Sequence, residues 1–205
     1  MSTALPNTKG IIQAKKNLEG IGKVTPLRIN QILSDETDAK VYLKREDLQI
    51  VRSYKIRRGA YNFIAQLSAA EKKKGVVCAS AGNHAQGFAY SCKLLKIKGT
   101  VFMPAPTPKQ KVEAVRRVGK EFINIVLSGD TYDDAKSAAL KFMATHNMVF
   151  VPPFDHKLIV EERGTVAMEI LEQMGKRKLI ICLFPLAALF VRFDYVFQNF
   201  HQLPK

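Results

Sequence analysis

Between residues 75 and 152 the chain alternates short apolar runs with amphipathic segments, which restricts its fold more than any other feature. GVVCAS (75–80) reads as a buried strand, apolar on both faces and rich in valine. The segment after it puts Ala85, Phe88, Cys92 and Leu95 on one helical face, and Gly99 is expected to end that helix. TVFMP (100–104) is the next strand. Pro108 suits a first helical turn, with Val112, Val115 and Val118 facing inward. EFINIVLS (121–128) gives a third strand, closed by Ser-Gly-Asp. Thr131 can cap a helix that carries Tyr132, Ala135, Ala139, Phe142 and Met143 inward, and MVFVPPF (148–154) completes the series. A β-α-β-α-β-α-β order argues for an α/β fold with a parallel sheet and helices on its faces.

The flanks carry a helix near Ile11–Gly20, a strand at Lys40–Lys44 and a helix near Leu158–Met174. They read as parts of a second α/β unit that is not complete. The expected division is 1–60 as the first part of a large domain, 61–154 as a complete small α/β domain, and 155–205 as an incomplete return into the large domain with an atypical tail. With 47% apolar and 24% charged residues, the chain has enough apolar surface to fold and disorder is excluded as its main state.

Cys78, Cys92 and Cys182 are widely spaced and lack a CxxC pattern, which fits a reducing cytoplasm better than a disulfide scaffold or a cysteine zinc site. No metal is expected. MSTALPNTKG has no basic region followed by an apolar one, so no secretory signal is read. The apolar run from Leu179 to Val191 is shorter than the roughly 20 residues of a bilayer helix and contains Pro185, so no membrane span is expected. The net charge of +14 raises one alternative, a basic non-catalytic binding protein. However, Lys15-Lys16, Arg57-Arg58, Lys72-Lys73-Lys74, Arg116-Arg117 and Lys176-Arg177-Lys178 are scattered and accompany no nucleic-acid module. Solvated helix ends explain them better, and a nucleic-acid partner is not expected.

Two local features bear on chemistry. The first strand runs into Ser80-Ala81-Gly82-Asn83-His84, whose small residues let a ligand approach the backbone. The N–H groups of the next helix favour a carboxylate or phosphate, although an ordinary βα turn has the same look. The second feature is KVYLKREDLQIVRSYKIRR (40–58), where Lys55 lies between Tyr54 and Ile56 and Ser53 can act as a cap. An apolar setting lowers a lysine pKa and yields the neutral amine that attacks a carbonyl. Taken alone, Lys55 reads better as a lysine snorkelling from a helix start.

KREDLQ, then S-Y-K, then S-A-G-N-H-A-Q-G 25 residues after Lys55, resembles the threonine/serine dehydratase family in motif order. FMPAPTPKQKVEAVRRVG, SGDTYDDA and PPFDH continue the match over about residues 10–174. The resemblance implies a pyridoxal-phosphate enzyme of fold type II, with a tryptophan-synthase-β-like fold and the cofactor between two α/β domains. It implies that Lys55 holds the cofactor covalently and removes the Cα proton of the amino-acid substrate. Tyr54 stands where the family has a Phe against the pyridine ring, and Asn83 would bond the cofactor's phenolic oxygen. The Ser80 side chain and the main chain through Ala81, Gly82, Asn83 and His84 would hold the substrate carboxylate. The implied reaction is β-elimination, taking threonine to 2-oxobutanoate and ammonia, or serine to pyruvate in a serine-preferring dehydratase. Ala81 replaces a serine typical of related racemases, which favours elimination. A homo-oligomer is implied for the intact family, an expectation weakened here by the segments the chain lacks.

Three departures stand out. The family reads S-F-K-(I/L)-R-G-A, whereas Arg57-Arg58-Gly59-Ala60 contains one more arginine, expected to rotate the downstream residues by about 100° or to force a bulge. Glu161-Glu162-Arg163-Gly164 replaces E-G-Q-G. No glycine occurs after Gly175, so the Gly-rich loop expected to cradle the cofactor phosphate is missing. The expectation is a truncated dehydratase with a frameshifted tail after about residue 175 and weak or no activity.

Overall fold

The computed structural model describes residues 6–57 and 60–175. Helix α1 (Thr8–Asn17) starts where Asn7 Oδ1 accepts from Gly10 N at 2.9 Å and ends on Lys15 and Lys16, cations suited to its negative pole. Strands β1 (Leu27–Ile29) and β2 (Tyr42–Lys44) pair antiparallel around helix α2 (Gln31–Thr37). A 3-10 turn at Tyr54–Ile56 leads to α3 (Tyr61–Ala65) and α4 (Ala69–Lys74). A Ser68–Glu71 capping box opens α4, and Lys72, Lys73 and Lys74 close it at its C-terminal end, as read from the charge pattern.

The central unit then runs β3 (Val76–Ala79), α5 (Asn83–Leu95), β4 (Gly99–Met103), α6 (Lys109–Gly119), β5 (Ile123–Leu127), α7 (Tyr132–His146) and β6 (Val149–Phe150). Its sheet has the order β5-β4-β3-β6 with every pair parallel, Val76 lying opposite both Gly99 and Val149. All residues of β3 and β4 are buried, as expected of a parallel sheet covered on both faces. Phe88, Ala89 and Cys92 of α5, with Val112 and Val115 of α6, fill one side. Ala135 and Ala139 of α7 pack on Val77, Ala79 and Phe102 on the other. Helix α8 (Lys157–Met174) lies along α1, where Ile11 meets Val166, Ala167 and Ile170.

Several expectations are corrected. Gly99 does not end α5: Lys96 does, in the left-handed conformation (φ 54°), and Gly99 opens β4. A Cβ on Gly99 would press on Cys92 Sγ and the Phe88 ring, so packing explains its glycine. The third strand begins only at Ile123 because Lys120–Phe122 form a 3-10 turn. Tyr132 is exposed at the start of α7. Strand β6 stops at Phe150, ahead of Pro152 and Pro153, which lack the N–H a ladder needs. The extra arginine falls between the Tyr54–Ile56 turn and α3, two separate elements, so rotation about one helix axis does not describe it. Arg58, Gly59 and the tail beyond Gly175 lie outside the described residues.

Candidate active site

The chain leaves β3 toward β4 on one side, while β6 joins β3 on the other. In an open parallel sheet such a reversal leaves a crevice beyond the carboxyl ends of the two strands. The Ser80–Gly82 loop and the start of α5 occupy this place. Gly82, at the N-cap, provides no side-chain bond, so the first amides of α5 keep their donors for another acceptor. Ser80 Oγ accepts from Gly82 N at 3.2 Å, which leaves its own O–H able to donate. Asn83 is exposed, Ser80, Ala81 and Gly82 are half-buried, and His84 is buried.

Lys55 approaches the same helix from the side. Ser53 is extended (φ −163°, ψ 147°) and its Oγ accepts from Lys55 N at 3.2 Å, starting a 3-10 turn that Arg57 N closes on Tyr54 O at 2.9 Å. Ile56 is buried, and Tyr54 packs into the cluster of Ile11, Val166 and Ile170. The turn seats directly on α5, for a Cβ at Gly87 would lie 2.3 Å from the Lys55 carbonyl oxygen. Asn83 precedes Gly87 by one helical turn and shares its face. Lys55 and Asn83, separated in sequence, therefore converge on one face of α5.

Electrostatics supports a reactive lysine. Burial, then the charge of Arg163, lowers the Lys55 pKa from 10.5 to about 8. His84, expected only to offer its main chain, places its ring in the interior beside these groups. Burial lowers its pKa from 6.5 to about 3, the charges of Lys55 and Arg163 add to this, and the Val151 main chain opposes it only in part. The His84 imidazole is therefore neutral near pH 7.

The sequence reading missed three features. Arg163, seen only as a departure, is 2% exposed on α8 and donates to the Pro153 carbonyl at 3.2 Å. Its neighbours Glu161 and Glu162 are buried too, and Glu161 Oε1 accepts from Asn7 N at 3.2 Å. His156 caps α8 through Nδ1, which accepts from Leu158 N at 3.2 Å, and its ring meets Phe63 edge-on. A buried set of charges links Lys44, Glu46, Arg57 and Glu169. The helix-capping role of His156 had a local signal, its place before an amphipathic run; the charge set had none.

Lys55, with its lowered pKa, thus lies against α5, the helix that starts at the carboxyl end of β3 in a parallel α/β sheet with no side-chain cap on its first amides. Residues 18–185 match the family described as "Pyridoxal-phosphate dependent enzyme", and the chain belongs to that family. Its architecture is that of fold type II. Over 164 residues it is 50% identical to the biosynthetic L-threonine dehydratase of Halalkalibacterium halodurans, a match covering 80% of this chain and 39% of that relative. Among solved structures it resembles the processed form of threonine deaminase isoform 2 from Solanum lycopersicum (TM-score 0.72, 36% identity, 82% of this chain and 50% of that one). It also resembles maize serine racemase (TM-score 0.86, 27% identity, 96% and 59%).

Proposed function

We propose that this site serves a pyridoxal-phosphate dependent threonine dehydratase reaction, in which L-threonine loses its β-hydroxyl and amino groups to give 2-oxobutanoate and ammonia. The observation that carries the reading is Lys55, half-buried on its turn against α5 with a pKa of about 8. At pH 7.5 roughly a quarter of such amines are neutral, against about 0.1% of ordinary lysines, and only the neutral form attacks a carbonyl.

The residues fit the ring end of the cofactor. Lys55 Nζ would hold it covalently, and the exposed Asn83 amide, one turn before Gly87, can donate to its phenolic oxygen. When bound, pyridoxal phosphate supplies the electron sink for negative charge at the substrate Cα. Lys55 Nζ would also be the base that accepts the Cα proton. The Ser80 O–H and the first amides of α5 receive the substrate carboxylate, helped by the positive helix pole. Ala81 has no hydroxyl to return a proton on the opposite face, which favours elimination over racemisation. The same reading keeps the domain division 1–60, 61–154 and 155–205, and the buried thiols of Cys78 and Cys92 suit a cytoplasmic setting.

The test is to mix the chain with pyridoxal phosphate, reduce with borohydride and locate the label by peptide mass. Labelling confined to Lys55 and absent in Lys55→Ala supports the cofactor role; a scattered label refutes it. Threonine or serine is then added and 2-oxo acid measured. 2-Oxobutanoate from threonine, however slow, supports the dehydratase reading, and pyruvate from serine with no 2-oxobutanoate from threonine overturns it.

A further inference from the structure

Arg57 lies two residues beyond Lys55 and has no part in the chemistry above, yet it is only 4% exposed. Its Nη1 pairs with Glu169 of α8, its Nη2 donates to the Lys23 carbonyl, and its Nε lies 3.3 Å from Glu46 Oε2. Both carboxylates are themselves held. Lys44 Nζ reaches Glu169 at 2.7 Å and also donates to Thr25 O at 2.6 Å. Glu46 accepts from Thr25 Oγ1 and from Gln49 Nε2, the latter at 3.2 Å. Gln49 in turn donates to Lys23 O at 2.8 Å and accepts from Lys23 N at 3.0 Å. Two cations thus face two carboxylates in a closed, charge-balanced set joining the 23–25 segment, the end of β2, the Lys55 turn and α8.

Such a buried set gives little stability compared with apolar packing, and its value lies in admitting one geometry. That geometry bears on Lys55. Arg57 N closes the 3-10 turn, so holding the guanidinium fixes one end of it, while α5 blocks the turn at Gly87 on the other side. We propose that Arg57 is a positioning residue, anchored by Glu169 and Glu46, that keeps the Tyr54–Ile56 turn pressed on α5 and so holds the Lys55 amine in its partly buried seat. The proposal deepens the proposed function, resting on Lys55 as the cofactor lysine.

The test uses the 205-residue chain without cofactor and follows acetylation of Lys55 Nζ against pH by peptide mass, with exposed Lys120 as reference. Arg163 of α8 is the charge acting on Lys55 and His84 of α5 its titratable neighbour; Arg57 is not among the charges that shift it. A moved midpoint in an Arg57 variant therefore reports a moved amine, not a lost charge. In Arg57→Met the midpoint should rise from about 8 toward the ordinary 10.5, cutting labelling at pH 7.5 by about tenfold for each unit of rise. Arg57→Lys, which keeps the pair with Glu169 but loses the other arms, should fall between. A cooperative melt with an unmoved midpoint in Arg57→Met overturns the proposal. If that variant does not fold, an unmoved midpoint in Arg57→Lys does so. If the wild-type chain fails to take pyridoxal phosphate at Lys55, the functional reading falls while these midpoints still judge Arg57.

Discussion

Replacing Gly87 with alanine acts on a close main-chain contact between Lys55 and α5. The new Cβ would stand 2.3 Å from the Lys55 carbonyl oxygen and 3.0 Å from its carbon. Ordinary contact starts near 3.4 Å, so about 1 Å must be gained, and both partners are main chain, which no rotamer can relieve. Helix α5 is held between the sheet, α6 and α3, whereas the Tyr54–Ile56 turn is three residues long, so the turn should move. Overpacking costs about 1–3 kcal/mol, and alanine in a helix recovers about 1 kcal/mol over glycine. The net loss of about 0–2 kcal/mol corresponds to a Tm drop of roughly 0–8 °C for a chain of this size. The site should suffer more, because a 1 Å misplacement of a reacting group can cost about 100-fold in rate. The assay is the rate of borohydride-trapped attachment of pyridoxal phosphate at Lys55, beside a melting curve, with Ser137→Ala on the exposed side of α7 as control. A Gly87→Ala chain that attaches cofactor within twofold of the wild-type rate, with an unchanged melt, would refute the reasoning.

Arg163→Gln removes a cation that disfavours the Lys55 ammonium, so the Lys55 midpoint should rise above about 8 in the same acetylation profile; an unchanged or lower midpoint contradicts the electrostatic account. The pKa of His84 is depressed to about 3 in the folded chain, so between pH 6.5 and 3 the unfolded chain binds the extra proton. Stability should then fall by about 1.4 kcal/mol for each pH unit of acidification below 6.5, and urea titrations at pH 5 and 7 should show this slope flattened in His84→Gln. Thr131→Ala loses a reciprocal cap, in which Thr131 Oγ1 accepts from Asp134 N at 3.2 Å and Asp134 Oδ2 accepts from Thr131 N at 2.9 Å. The expected loss is about 1 kcal/mol, or roughly 2–4 °C in Tm, with no change in labelling at Lys55.

The legibility of each element in the sequence depended on the range over which its pattern acts. Strands β3 and β4 declare themselves because a strand buried on both faces must be apolar throughout. Strand β1 and helix α2 do not: each is short, and Ile29, Ile32 and Leu33 are exposed, so hydrophobicity carries no register there. The pair of Arg57 and Glu169 spans 112 positions and leaves no local trace.

Helix α5 lies between these cases. The apolar positions Ala85, Phe88 and Cys92 reveal the face on the sheet, but His84, Gly87 and Ser91 are equally buried. Those three have the spacing of a second helical face, made of small or polar residues that periodicity assigns to solvent. Ser91 even turns its hydroxyl back onto the Gly87 carbonyl at 2.7 Å, as a polar group with no access to water must. Glycine on that face is what lets the Lys55 carbonyl lie against the helix, and the neutral His84 ring is what can be buried beside a lysine and an arginine without adding a third charge. A helix in such a crevice is therefore constrained on two sides by different rules: volume toward the sheet, and close backbone approach with charge neutrality toward the reactive lysine. Hydrophobic periodicity detects only the first.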